Sequence, residues 1–467
     1  MTDSPKKPTQ LKKALGLRDL VLLNIACVVG LSSLTQAAQF GWSSFTLWLL
    51  AMICYLIPSG LMVVDLNARV PGEGGFYNWT KTAFGERNGY IAAWCYWLSN
   101  IVWFPAILLT IVGSGLYIFG DAYLDLAENF WVAGLISLMV LWFTILLNIY
   151  GLKFGKWIQN VGAISLWVLF TLLFVVAIYY LFSFGSAQPF TPDSLIPDFS
   201  DFGVLPFFAA ITFSFGGLEL SSVMSGEIKN PKRNIIRSII ISGVVIALLY
   251  CVGTFSLLVV IPQGELHIVD GIAQTFFVMN EKTGWPFLGV VGAVLVTLST
   301  LGLFASWTTG TARLPFVIGI DKYLPPALGK IHPKYGTPYV SLYLQGVIIS
   351  ILLLIAISGT KIQEAYSFLY DMSVLLYFIP FLYMFAALLK HNLKNTGGKG
   401  GIRLFEKYPS SAWIVSILGF LVILLSVILA VIPSEVIENK WLFFIKISGT
   451  TVTLITIGLV FFFLKRK

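Results

Sequence analysis

Twelve runs of about 20 mostly apolar residues follow one another along the chain, joined by short polar loops. Their approximate limits are Leu20–Phe40, Phe45–Leu66, Tyr90–Phe119, Trp131–Tyr150, Trp157–Phe182, Val204–Ser225, Ile235–Ile261, Trp285–Ile318, Tyr339–Ile357, Ala365–Leu389, Trp413–Ile432 and Leu442–Leu464. A run of that length matches the hydrocarbon core of a bilayer, where only a helix satisfies its own backbone N–H and C=O groups. The expected fold is therefore an all-α integral membrane domain of twelve transmembrane helices. Hydrophobic residues make up 57% of the 467 and charged residues only 11%, against about 25% charged in soluble domains. A soluble domain and a disordered chain are both excluded. The four cysteines (Cys27, Cys54, Cys95, Cys251) all lie inside apolar runs. They read as small core residues, not as a disulfide framework.

The charges fix an expected orientation. With the N-terminus inside, 26 of the 30 lysines and arginines fall on the inner side, and only Lys282, Lys361, Lys440 and Lys446 fall outside. A missed or extra span would scramble this bias. The expectation is a multi-pass protein of the cytoplasmic membrane with both termini cytoplasmic. The acidic residues Asp121, Asp125, Glu128, Asp193, Asp198 and Asp201 occupy two outer loops that hold no lysine or arginine. The net charge of +8 is read as lysine and arginine facing anionic lipid, not nucleic acid. Residues 1–19 form a polar tail with no cleavage pattern of a secretory leader.

Two of the spans look interrupted. The first contains Ala26-Cys27-Val28-Val29-Gly30-Leu31-Ser32-Ser33, and the sixth contains Thr212-Phe213-Ser214-Phe215-Gly216-Gly217-Leu218-Glu219. Glycine in a helix interior costs about 1 kcal/mol relative to alanine. Breaks in spans one and six, at corresponding places in two five-helix halves, point to an inverted-repeat transporter. Unwound backbone at that depth must face a cavity and can bind a polar substrate. The expected divisions are the tail (1–19), a first repeat of helices one to five (20–182), a second repeat of helices six to ten (183–389), and a loop with helices eleven and twelve (390–467).

Val70-Pro71-Gly72-Glu73-Gly74-Gly75-Phe76-Tyr77-Asn78-Trp79, followed by Phe84-Gly85, resembles the loop after helix two of the amino acid–polyamine–organocation transporter superfamily. Phe215-Gly216-Gly217-Leu218-Glu219 and then Gly226-Glu227-Ile228-Lys229-Asn230-Pro231-Lys232-Arg233 resemble its helix-six signature. Ala305-Ser306-Trp307, Gly310, Arg313, Leu324-Pro325-Pro326-Ala327, Gly336-Thr337-Pro338 and Gly397-Gly398-Lys399-Gly400 are similar to the bacterial glutamate/γ-aminobutyrate antiporter branch. The resemblance implies a leucine-transporter-type 5+5 inverted repeat plus two extra helices; that fold is a standard example of the inverted-repeat rule. It departs at helix one, where Val28-Val29-Gly30 replaces the usual Gly-Ser-Gly, and at helix five, which lacks the lysine of proton-coupled relatives.

The expected function is secondary active transport of an amino acid or related amine by alternating access, with antiport as the first mode and proton-coupled symport as the second. Backbone N–H groups near Val28, Val29, Gly30 and Ser32 are expected to hold a carboxylate, and carbonyls around Phe213, Ser214, Gly216 and Gly217 an amine. Phe213, by resemblance an aromatic gate, and Trp307 are candidate walls, and Asn100 the cavity-facing polar group of the Trp97-Ser99-Asn100-Trp103 cluster. Glu219 and Asp371 are the two acids deep within spans, where an ionised side chain is costly and marks function. With Tyr366 and Tyr370, four apart and so on one helix face, they form the candidate gating and proton-coupling set. Arg313 is a candidate inner-gate partner of Asp65 or Glu227. No cofactor motif, metal-ligand cluster or nucleophile constellation is found, so no enzyme is expected. A channel, the competing class, would want continuous pore helices instead of two broken ones. The expected partners are the substrate and membrane lipid.

Overall fold

The computed structural model describes residues 15–465, except 72–73, 121–122, 124–125, 127–128, 151, 199–203, 268–270, 322, 359–361, 394–404, 406–408 and 432–439. The described residues fold into helices: α1 (Leu17–Val28), α2 (Leu31–Ala38), α3 (Ser44–Ala51), α4 (Ile57–Arg69), α5 (Phe76–Phe84), α6 (Glu86–Leu116), α7 (Phe130–Ile149), α8 (Leu152–Phe184) and α9 (Val204–Ser214). The chain continues as α10 (Leu220–Val223), α11 (Pro231–Val260), α12 (Gly271–Thr283), α13 (Leu288–Thr311), α14 (Arg313–Ile320), α15 (Tyr339–Ile357), α16 (Ile362–Leu393), α17 (Pro409–Leu429) and α18 (Lys440–Lys465).

Among the described residues, ten helical segments are long and apolar enough to cross a bilayer. The pair α1 and α2, bent by 43° at a short break, makes an eleventh. The sixth expected span is present as two pieces, α9 and α10, separated by residues 215–219. The ninth, Tyr339–Ile357, coincides with α15 end to end. Two helices were not anticipated. The loop after the second span folds into α5, and the connection between the seventh and eighth spans carries α12. Both are too short to span.

The two broken spans are surrounded by long unbroken ones. Helix α6 packs along α16, and α8 along α13. The second pair is drawn close by facing glycines: a Cβ on Gly162 would stand 2.5 Å from the Gly302 Cα, the small-residue contact that lets membrane helices approach. On the outside of the bundle Trp131, Phe182, Ile240, Ile414 and Val460 expose large apolar side chains. That surface suits hydrocarbon, not water.

One end of the bundle concentrates the basic side chains and their partners. Arg69 Nε meets Asp65 Oδ2 at 2.5 Å and Arg69 Nη1 donates to the His391 carbonyl at 3.3 Å. Lys81 Nζ lies 2.6 Å from Asp321 Oδ2, which also accepts from the Tyr77 hydroxyl. Leu15 is bridged in parallel fashion to Ile228: Leu15 N–H donates to Glu227 O (3.0 Å) and Lys229 N–H to Leu15 O (2.9 Å).

Candidate functional site

Helix α1 stops at Val28 because Val29 and Gly30 are extended, with ψ of 90° and 123°. Helix α9 stops at Ser214, and the chain turns through Gly216 and Gly217 before α10. The two glycines serve different ends. Gly217 has φ of +126°, a region that disfavours any side chain. Gly216 makes room: a Cβ there would lie 2.6 Å from Tyr377 Cζ and 2.7 Å from Cε1.

Breaking both helices frees backbone groups that nothing in a bilayer would satisfy. A single side chain serves both breaks. The Tyr250 hydroxyl of α11 sits 2.7 Å from Val28 O and 2.8 Å from Ser214 O and accepts from the Gly30 N–H at 3.3 Å. A second cross-brace comes from α13, where Trp307 Nε1 donates to Cys27 O at 2.8 Å. A buried carbonyl left without its donor costs about 1–3 kcal/mol. Tyr250→Phe is accordingly expected to destabilise the folded protein by about 1–3 kcal/mol while it still purifies as a monodisperse species. Thermal unfolding of the purified protein measures this.

Glu219, at the end of the second break, is buried and its partners all donate to it. Oε1 accepts from the hydroxyls of Tyr96 (2.6 Å) and Tyr377 (2.6 Å), and Oε2 from the Gly217 N–H (3.0 Å). The carboxylate thereby ties α6 and α16 to the broken sixth span. Three donors on one buried carboxylate form a strong, geometrically fixed junction.

Between the two breaks lies a cavity. Val28 and Gly30 line it from the first break, and Phe213, Ser214 and Gly216 from the second. Asn100 and Trp307 complete the expected set. The Asn100 amide nitrogen donates to Tyr96 O at 2.8 Å. Phe213 meets Trp103, Tyr370 and Tyr377 edge-to-face, at 6.1, 5.4 and 5.0 Å between ring centroids. Trp307 lies edge-on to Trp103 at 5.6 Å. The rings form a box around the break, with Phe213 between the cavity and Tyr370.

Some expected residues fall elsewhere. Val29 is buried but off the lining, Ser32 gives way to Ser33, one position on, and Gly217 packs against Val28 and Trp307. Trp97 is off the lining and packs at a tilt against Trp94. Asp371 is half-buried and does not line the cavity. The side chain of Tyr366 lies outside the described residues. Arg313 takes Glu227 as partner, with Nη2 and Nε at 2.6 and 2.8 Å from Oε1. Asp65 is held by Arg69 on its own helix. The Arg313–Glu227 pair is buried and joins α14 to the segment just after α10, beside the Leu15 bridge.

Four contributors were missed from sequence: Cys27, Tyr96, Tyr250 and Tyr377. Tyr377 had a signal, since it continues the face of Tyr370 two turns further along α16. Tyr96 stands four residues before Asn100, on the same face. Tyr250 had none, being a solitary tyrosine in an apolar run.

Residues 15–458 match the amino acid permease family. The chain is 30% identical over 382 residues to an uncharacterized transporter of Legionella pneumophila, covering 81% of each protein. It is 27% identical over 459 residues to a probable agmatine/putrescine antiporter of Lactococcus lactis, covering 94% of this chain and 91% of the relative. A glutamate/γ-aminobutyrate antiporter of Lactococcus lactis is 25% identical over 399 residues, 82% of this chain and 77% of the relative.

Proposed function

The chain belongs to the amino acid permease family, a transporter family of the amino acid–polyamine–organocation superfamily, and on that premise we propose that it is an antiporter that exchanges amino acids or related amines by alternating access. The observation that carries this reading is a cavity bounded by both helix breaks. Broken helices place backbone donors and acceptors in the middle of a span, which is how carriers hold a small polar solute. The start of α2 would take a carboxylate at its free N–H groups. Carbonyls at the end of α9 would take an amine.

In this reading the fold has twelve spans, with the interrupted α9–α10 segment as the sixth and helices one to five and six to ten as inverted repeats. The basic end faces the cytoplasm of a cytoplasmic-membrane protein, with both termini on that side. The Tyr96–Glu219–Tyr377 junction is the gate between the cavity and the basic end. Phe213 and Tyr370 stand on the opposite side, with Asp371 beside that path and Tyr366 one turn beyond Tyr370. Arg313–Glu227 and the Leu15 bridge close the basic end and must separate when the protein opens there. Antiport is favoured over symport by the antiporter names of two relatives. A channel would need a continuous path, whereas here Glu219 and its tyrosines close one side of the cavity.

The test is a thermal-shift screen of the purified protein against amino acids and amines. A solute at about 100 times its Kd stabilises the folded form by about 2.7 kcal/mol, so the substrate is expected to raise the melting temperature measurably. A flat response across the whole panel would count against the proposal.

A further inference from the structure

We propose that Gly74 and Gly75 are positioning residues of the transport cycle: their turn is the seat on which α10, the basic-end half of the broken sixth span, rests while that end is closed. This inference rests on the transporter reading above and assigns a part to the turn that precedes α5. The contact is direct. The Gly74 N–H donates to Val223 O at 3.2 Å. Val223 is the last residue of α10, so its carbonyl is one of those that a helix end leaves without an intrahelical donor. Gly75 has φ of +39°, where a side chain is disfavoured. It also lies hard against α10: a Cβ there would stand 2.5 Å from Ser222 Oγ and 3.2 Å from the Ser222 carbonyl carbon and from Val223 N. A glycine of α13 receives the other flank of the same helix. A Cβ on Gly310 would stand 2.5 Å from Leu220 Cδ1, and residues two apart on a helix point in nearly opposite directions.

The seat belongs to the unbroken helices. Helix α5 packs against α6 and α16. Its Tyr77 hydroxyl and Lys81 ammonium are held by Asp321 at the end of α14. Its Trp79 carbonyl lies 3.3 Å from His391 Nε2, near the end of α16. Helix α10, by contrast, is a short piece between the break and the Arg313–Glu227 pair. Opening of the basic end therefore parts α10 from a turn that stays behind, and breaks the Gly74–Val223 bond. The strain of a side chain at the φ of Gly75 is carried in both states, whereas its collision with Ser222 exists only in the closed one. A penalty on one of two states shifts the population to the other.

The experiment labels the full-length protein in detergent with a hydrophilic maleimide at Met224→Cys, a position just past α10 whose side chain is buried. The rate is read at that peptide by mass spectrometry. Adding Gly75→Ala is expected to raise it at least about tenfold, and adding Ser222→Ala as well is expected to return it to within about twofold of the parent. Ser222→Val crowds the contact from the α10 side without altering the turn. It is expected to raise the rate in the same direction, and it carries the test where Gly75→Ala does not fold. Parent rates in the crowding variants, or a raised rate in Gly75→Ala that Ser222→Ala does not reverse, would overturn the inference and leave the transporter reading intact. Solute exchange by the unmodified protein in proteoliposomes tests that reading separately: no exchange with any amino acid or amine would remove it and this inference with it.

Discussion

Glu219→Ala is expected to lower exchange by about 100-fold or more, because it leaves two tyrosine hydroxyls and a backbone N–H unpaired in a buried site at about 1–3 kcal/mol each. Those donors belong to Tyr96, Tyr377 and Gly217, on three different segments. Their loss unties α6 and α16 from the broken span together. Glu219→Gln is the graded companion. Its amide keeps one acceptor oxygen, but its NH2 group cannot accept from whichever donors it faces. An intermediate loss of about tenfold is expected, near 1.4 kcal/mol. Initial exchange rates, normalised to protein incorporated in the vesicles, separate the three. Wild-type rates in Glu219→Ala would show that the junction is not part of the transport cycle.

Gly216→Ala carries the second large effect and acts by volume alone. The added methyl would meet the Tyr377 ring at 2.6 and 2.7 Å, well inside contact distance. Tyr377 cannot swing aside freely, because its hydroxyl is bound to Glu219 and its ring packs between Phe213, edge-to-face, and Phe381. Either the turn or the tyrosine must move by about 1 Å, a displacement that costs about 100-fold at an organised site. The control is Gly243→Ala on α11, where nothing lies within 4 Å of the new carbon and exchange is expected to be unchanged. Equal activity in the two variants would mean that the Gly216 turn is more pliable than its packing implies.

The fold was legible where the physics is local. Spans follow from hydropathy and length, and Tyr339–Ile357 shows how sharply a run is bounded when polar and proline residues flank it. Both breaks were legible too, because Val29-Gly30 and Gly216-Gly217 are poor helix formers in long apolar contexts. What the breaks do to their surroundings was not. The groups that bond the broken backbone come from α11 and α13 and those that hold Glu219 from α6 and α16, and a bond such as Tyr250 to Val28 spans 222 residues of sequence. No local pattern encodes that pairing. Helices α5 and α12 were missed for a related reason, since a short helix at a membrane edge depends on what it packs against. Asp371, the acid that its place inside a span singles out, stands off the cavity lining, which is built from neutral side chains and backbone.

The account as a whole turns on coupled exchange through one site, and trans-stimulation measures that directly. Proteoliposomes are loaded with the solute that stabilises the protein, or left empty, and initial uptake of the labelled solute is followed at rising external concentration. An antiporter with a single mid-span site predicts saturable uptake that is at least about tenfold faster into loaded vesicles than into empty ones, since return of the empty site is slow. Uptake that rises linearly with concentration, or that is indifferent to internal solute, would contradict it.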